Sequence, residues 1–215
     1  AAVAGTAALP PITDAVILDA TTQEGFNPVT AVPLIQIDGT NFNAPTGLLE
    51  INGGAGSTIR GFVLNRSQND GIRLTTGGNT IAGNYLGTNA VGGAALANAG
   101  DGIDVRSAGN TIGGTAAADR NVLSVNGDDG IELYGAGAFN NVVLGNYVGA
   151  DAAGTAAVAN AGSGIHIYGG ANTNTIGGAA AGAGNVVSGN QADGITISGV
   201  AGNRILGNRI GTHAA

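Results

Sequence analysis

Apolar residues in this chain come in very short runs, alternate with polar or small residues, and are closed off by Gly or Asn. Gly71-Ile72-Arg73-Leu74 returns as Gly102-Ile103-Asp104-Val105, Gly130-Ile131-Glu132-Leu133, Gly164-Ile165-His166-Ile167 and Gly194-Ile195-Thr196-Ile197. The glycines lie 31, 28, 34 and 30 residues apart. Period-2 alternation with β-branched residues predicts strands of two or three residues, and no stretch carries apolar spacing of 3.6, so helix is disfavoured throughout. Two more apolar runs separate successive phrases, as in Asn110-Thr111-Ile112-Gly113 and Asn121-Val122-Leu123-Ser124. That gives three strands per coil.

A longer period overlies the short one. Gly83-Asn84-Tyr85-Leu86-Gly87-Thr88 recurs as Gly145-Asn146-Tyr147-Val148-Gly149-Ala150 and as Gly207-Asn208-Arg209-Ile210-Gly211-Thr212, with successive asparagines 62 residues apart. Self-similarity at a fixed period means units that bury their apolar faces only by stacking on their neighbours. Strands this short, recurring about every ten residues, do not make hairpins but wind as a parallel β-helix, with coils ~4.8 Å apart and a rod of roughly 30 Å. The stretches Ala15-Val16-Ile17-Leu18-Asp19 and Pro33-Leu34-Ile35-Gln36-Ile37-Asp38-Gly39 read as an earlier, looser coil, and Leu49-Glu50-Ile51 opens the regular series. The spacers from Thr88 to Gly100 and from Ala150 to Gly162 predict loops that protrude from one side on alternate coils.

Composition narrows the function classes. With 41 Gly and no strict Gly-X-Y period the chain is turn-rich but not collagenous, and many turns of positive φ are expected. No Lys is present and the net charge is −7, so there is no basic surface for nucleic acid. No apolar run approaches the ~18 residues of a membrane span, and no membrane insertion is expected. The absence of Cys removes disulfides, thiolate metal sites and thiol catalysis. The opening Ala1-Ala2-Val3-Ala4-Gly5 has no initiator Met and no signal-like segment, which suggests a piece of a longer protein.

The phrases Leu9-Pro10-Pro11-Ile12-Thr13, Thr21-Thr22-Gln23-Glu24-Gly25-Phe26, Asn110-Thr111-Ile112-Gly113-Gly114-Thr115 and the ten-residue phrase from Asn203 to Thr212 resemble the right-handed parallel β-helix repeats of large secreted bacterial surface proteins. The resemblance covers nearly the whole chain and specifies fold far better than activity. The expected fold is therefore an all-β, single-stranded right-handed parallel β-helix of about six to seven coils, each with three short strands. It forms one domain over 1–215, with 1–46 an irregular first coil and 47–215 regular. The resemblance implies an extracellular or cell-surface location.

If Ile and Leu of each phrase point inward, the residue between them points out, and stacking aligns Glu50, Arg73, Asp104, Glu132, His166 and Thr196. A second outward column holds Asn52, Thr75, Arg106, Tyr134, Tyr168 and Ser198. Tyr134 and Tyr168, with Arg73 and Arg106 nearby, form a candidate sugar-binding strip. The plain structural explanation is that outward positions must be polar and that arginine relieves stacked carboxylates. Asp104 and Glu132, one coil apart, also have the spacing of a glycosidase acid pair, with His166 and Arg106 beside them. Of the signatures typical of β-helix pectin hydrolases, only Asp128-Asp129 matches. A lyase-like arrangement would place Ca²⁺ among Asp101, Asp104, Asp128 and Asp129 with Arg106 taking the proton, and Asp101, Asp128 and Asp129 are the metal candidates; no other cofactor is expected.

The column Asp70, Asp101, Asp129, Ser163, Asp193 precedes the strand glycines and reads as turn caps made through local backbone. Asn79, Asn110, Asn141, Asn174 and Asn203 read as a ladder of stacked amides, as do Asn84, Asn146 and Asn208 with Asn126 and Asn190. A threonine column (Thr58, Thr80, Thr111, Thr175) resembles the arrays of ice-binding solenoids, but Val142 and Arg204 interrupt it. The last phrase, Ile210 to Ala215, carries no polar cap, so self-association through open coil ends is expected. The sequence thus points to a structural or adhesive rod that self-assembles end to end, with polysaccharide as a further partner. The competing reading is a polysaccharide lyase, glycoside hydrolase or glycan-binding module.

Overall fold

The structure, a computed structural model, describes residues 8–43 and 45–212. The opening Ala1 to Gly5 and the closing His213 to Ala215 lie outside the described residues.

Short β-branched runs closed by Gly and Asn form short strands, and the regular coil length brings each strand beside its counterpart one coil away. Every third strand belongs to the same parallel sheet. The first sheet contains Gly47–Ile51, Asp70–Leu74, Ile103–Val105, Ile131–Tyr134, Ile165–Tyr168 and Ile195–Ser198. The second contains Ile17–Asp19, Thr58–Arg60, Thr80–Ala82, Thr111–Gly113, Val142–Leu144, Thr175–Gly177 and Arg204–Leu206. The third contains Ile35–Asp38, Phe62–Asn65, Tyr85–Leu86, Val122–Leu123, Tyr147–Val148, Val186–Val187 and Arg209–Ile210. The chain is a three-faced parallel β-helix of three short strands per coil. Among the described residues, helix is confined to two 3-10 turns of three residues, Ala20–Thr22 and Ala117–Asp119.

The inward residues stack in register to form one continuous core. Ile72, Ile103, Ile131 and Ile165 line the first sheet, Ile59, Ile81, Ile112, Val143 and Ile176 the second, and Leu64, Leu86, Leu123, Val148 and Val187 the third; all are fully buried. Burying each such side chain is worth about 2 kcal/mol against exposure. All three corners are held by asparagine. Asn79, Asn110, Asn141, Asn174 and Asn203 form one ladder, in which both the backbone N–H and Nδ2 of Asn110 donate to Asn141 Oδ1 at 2.8 and 2.9 Å.

The second ladder differs from the reading by repeat period. Asn84, Asn146 and Asn208 occupy alternate coils, and Asn121 and Asn185 fill the coils between them. Asn126 and Asn190 belong to a third ladder, Asn98-Asn126-Asn160-Asn190. The 62-residue period spans two coils, so it shows every second rung. The threonine column is in register as expected, interrupted at Val142 and Arg204.

Many turns of positive φ are present as expected, among them Gly83, Gly87, Gly145, Gly149 and Gly207. The strand glycines have a different reason, close approach: a Cβ on Gly130 would lie 2.4 Å from Val148 Cγ1 and 2.7 Å from the Gly164 carbonyl. The loops after Thr88 and Ala150 leave the third sheet on alternate coils, as expected. Each closes on itself through an antiparallel bridge, Thr88 to Ala95 and Ala150 to Ala157, and Ala90 and Ala152 pack against the cluster of Val63, Tyr85 and Val122 on the outer face of the third sheet. Apolar side chains on that face need cover, and the small alanines supply it.

Candidate functional site

The outward column predicted on the first sheet is present: Glu50, Arg73, Asp104, Glu132, His166 and Thr196 lie in register across six strands. Two residues on, Tyr134, Tyr168 and Ser198 are also in register. Strand spacing alone places neighbouring members of each column ~4.8 Å apart. Side-chain contacts turn the columns into one network.

Arg106 is its hub. Its Nε donates to Asp104 Oδ2 at 2.7 Å, its Nη2 donates to Glu132 Oε1 at 3.4 Å, and its guanidinium carbon lies 4.7 Å from the Tyr134 ring centroid. Arg73 Nε stands 3.6 Å from Asp104 Oδ2, an ion pair too long to be a hydrogen bond. Tyr168 donates its hydroxyl to Glu132 Oε2 at 2.8 Å. The Tyr134 and Tyr168 rings are tilted with centroids 4.8 Å apart, and His166 stacks on Tyr168 at 4.2 Å. His166 Nδ1 also lies 3.0 Å from Asp129 Oδ2. Thus Asp104, Glu132, His166, Arg106, Tyr134, Tyr168 and Arg73 are all brought together, while Glu50 turns away to accept from Thr46 Oγ1 at 2.9 Å.

Burial divides these residues by role. Asp104 is 1% exposed and Glu132 6%, whereas Tyr134 is 36% exposed. Burial raises the Glu132 carboxyl above its usual range; the Tyr168 hydrogen bond opposes this and the Asp104 charge adds to it. The direction suits a general acid, but both Glu132 oxygens already accept hydrogen bonds and the group lies beneath the ring layer. Burial and Glu132 together push the Tyr168 phenol up, so it is a donor rather than a nucleophile. Asp104 Oδ1 is buried without a hydrogen-bond partner among the described residues. The surface of this site is a tyrosine pair flanked by arginine, and its carboxylates lie underneath.

The aspartate column works across coils, not within its own turn as the sequence suggested. The backbone N–H of Asp101 donates to Asp70 Oδ1 at 3.0 Å, that of Asp129 to Asp101 Oδ1 at 2.9 Å, and that of Ser163 to Asp129 Oδ1 at 2.6 Å. Burial, reinforced by Asp104 and Glu132, pushes Asp70 up to about 7. Burial, reinforced by Glu132 and Asp70, pushes Asp101 up to about 9. Carboxylate oxygens of Asp101, Asp128 and Asp129 lie within 4.8 Å of one another, with Asp128 exposed and the other two buried. An all-oxygen set suits Ca²⁺ in kind. Here, though, both Asp129 oxygens are engaged, by Ser163 and His166, and Asp101 Oδ1 accepts from the Asp129 N–H.

Sequence reasoning missed a second place of chemical interest. A groove of about 370 Å³ opens on the outer face of the third sheet, lined by Arg120, Tyr147, Val186, Arg209 and the turn at residues 178–184. The third copy of the Gly-Asn-Tyr phrase carries Arg209 in place of tyrosine, a visible irregularity in the repeat. Arg120 gives no such sign, because only the fold shows that its turn packs beside Tyr147.

Fold and geometry place the chain among three-faced parallel β-helices with an aromatic, internally charge-paired face. No family model, curated protein or solved structure matches it.

Proposed function

We propose that this chain is a structural, adhesive β-solenoid of an extracellular or cell-surface bacterial protein. The observation that carries this reading is how the acid-rich face is organised. The groups suited to catalysis, Asp104 and Glu132, are buried and engaged with Arg106, Arg73 and Tyr168. In that arrangement the carboxylates tie adjacent coils together, as the asparagine ladders do at the corners. End-to-end association of copies belongs to the same reading.

A second reading, a glycan-binding strip on the same rod, is favoured by the Tyr134 ring, exposed and backed by Arg106 and Tyr168. Sugars bind aromatic faces through stacking, with arginine donating to hydroxyls. A glycan array probed with the wild type, Tyr134→Ala and Glu132→Gln tests both readings. A glycan bound by wild type and lost in Tyr134→Ala supports the strip; no bound glycan leaves the rod as structure alone. Cleavage of any array glycan by wild type and not by Glu132→Gln overturns the non-enzymatic reading.

A further inference from the structure

We infer that the groove on the outer face of the third sheet is a binding site for a carboxylate-bearing sugar ring, a uronic acid unit of an acidic glycan. This site is separate from the Tyr134 strip and does not depend on it.

The first argument is charge. The chain holds only 7 basic residues, all arginine, and two of them line this one groove. Arg60 is matched by Asp119 at 2.9 Å, and Arg73 and Arg106 by the acids of the first sheet. Arg120 has no carboxylate partner among the described residues. Its Nε donates to the Gly145 carbonyl at 3.2 Å, and its guanidinium lies 4.0 Å from the Tyr147 ring centroid. An arginine held in place by stacking and one backbone carbonyl is pre-organised, with its terminal nitrogens left over for a planar anion.

The second argument is shape. Tyr147, Val186 and Arg209 are consecutive members of one outward column, so Arg209 stands two strands, roughly 10 Å, beyond Tyr147. The groove therefore has arginine at both ends. Between them lie Val186, itself nearly buried, and a turn of glycine and alanine that puts no bulky side chain in the groove. No acidic residue lines it. Arginine side chains about 10 Å apart, small residues between them and a volume at the lower range of ligand sites fit a ring that carries an anionic group better than a bare anion.

The test is calorimetric titration of the chain with trigalacturonate, with galactotriose as the neutral counterpart and inorganic phosphate as the bare anion. Trigalacturonate is expected to bind, to weaken with added salt, and to lose at least about tenfold in affinity with Arg120→Gln and with Arg209→Gln. Tyr134→Ala should leave that binding unchanged, which separates this site from the strip on the first sheet. Arg120→Lys keeps the charge but not the planar fork, and should recover only part of the affinity. Arg209 is exposed, so its substitution reads binding even if Arg120→Gln perturbs the fold. Any one of four results overturns the inference: no binding, equal binding of galactotriose, equal binding of phosphate, or affinity unchanged in both arginine variants.

Discussion

On two of the rod's faces an arginine lies over a tyrosine ring: Arg106 over Tyr134 at 4.7 Å, and Arg120 over Tyr147 at 4.0 Å. On the first sheet, Arg106 also pairs with Asp104 and Glu132, its tyrosine is exposed, and the charges beneath are closed on one another. On the third sheet, Arg120 meets no carboxylate among the described residues, its tyrosine is buried, and the space beside it is open. The same pair of residue types is a coil-to-coil tie in one place and an anion-facing edge in the other. What separates them is the acids within reach: on the first sheet Asp104, two residues earlier in the same coil, and Glu132, one coil on; on the third, apolar and basic residues. In a solenoid, a side chain's role is set by the next coil together with its own strand.

The largest expected effect removes what the two faces share. Gly130→Ala places a methyl 2.4 Å from Val148 Cγ1 inside the stack and should destabilise the chain by about 3 kcal/mol or more, or prevent folding, in denaturant titration. Next, Arg106→Gln leaves Asp104 buried with less compensation and should cost about 3 kcal/mol, while Arg120→Gln removes a cation-π contact and should cost about 1 kcal/mol. Equal losses in the two variants would erase the distinction between the faces.

The buried aspartates add a pH dependence specific to the acid face. Asp70 and Asp101 are raised in the folded state to about 7 and about 9, so the folded chain binds protons that the unfolded chain has released. Stability is then full below about pH 4 and falls as pH rises through 7 towards 9, by a few kcal/mol in order of magnitude. Asp101→Asn keeps the Oδ1 acceptor for the Asp129 N–H and should flatten the upper part of this fall in melting curves between pH 5 and 9, taken in steps of about one unit. The smallest effect is that of Tyr134→Ala on stability, within about 1 kcal/mol, since its ring is a surface contact.

The fold was legible because the Gly-Ile-x-Leu and Gly-Asn phrases encode the strand and its corner directly. The outward columns followed from period-2 alternation plus register. What sequence could not supply was distance across coils. Asn121 and Asn185 sit in coils without the repeated phrase, so the repeat period does not show them as rungs of the second ladder. The aspartate carboxylates look like local caps in sequence because the N–H groups they meet lie some 30 residues away. Arg120 gives no sign for the same reason: its partner Tyr147 is the next rung of the stack, not a neighbour in the chain.

Turnover on a panel of neutral and acidic polysaccharides, followed by new reducing ends and by unsaturated products, tests the central claim most directly. The structural reading predicts no product above the blank at any pH from 5 to 9, for wild type and Glu132→Gln alike. Product formed by wild type and abolished in a folded Glu132→Gln variant would contradict it and make the buried acid pair an active site.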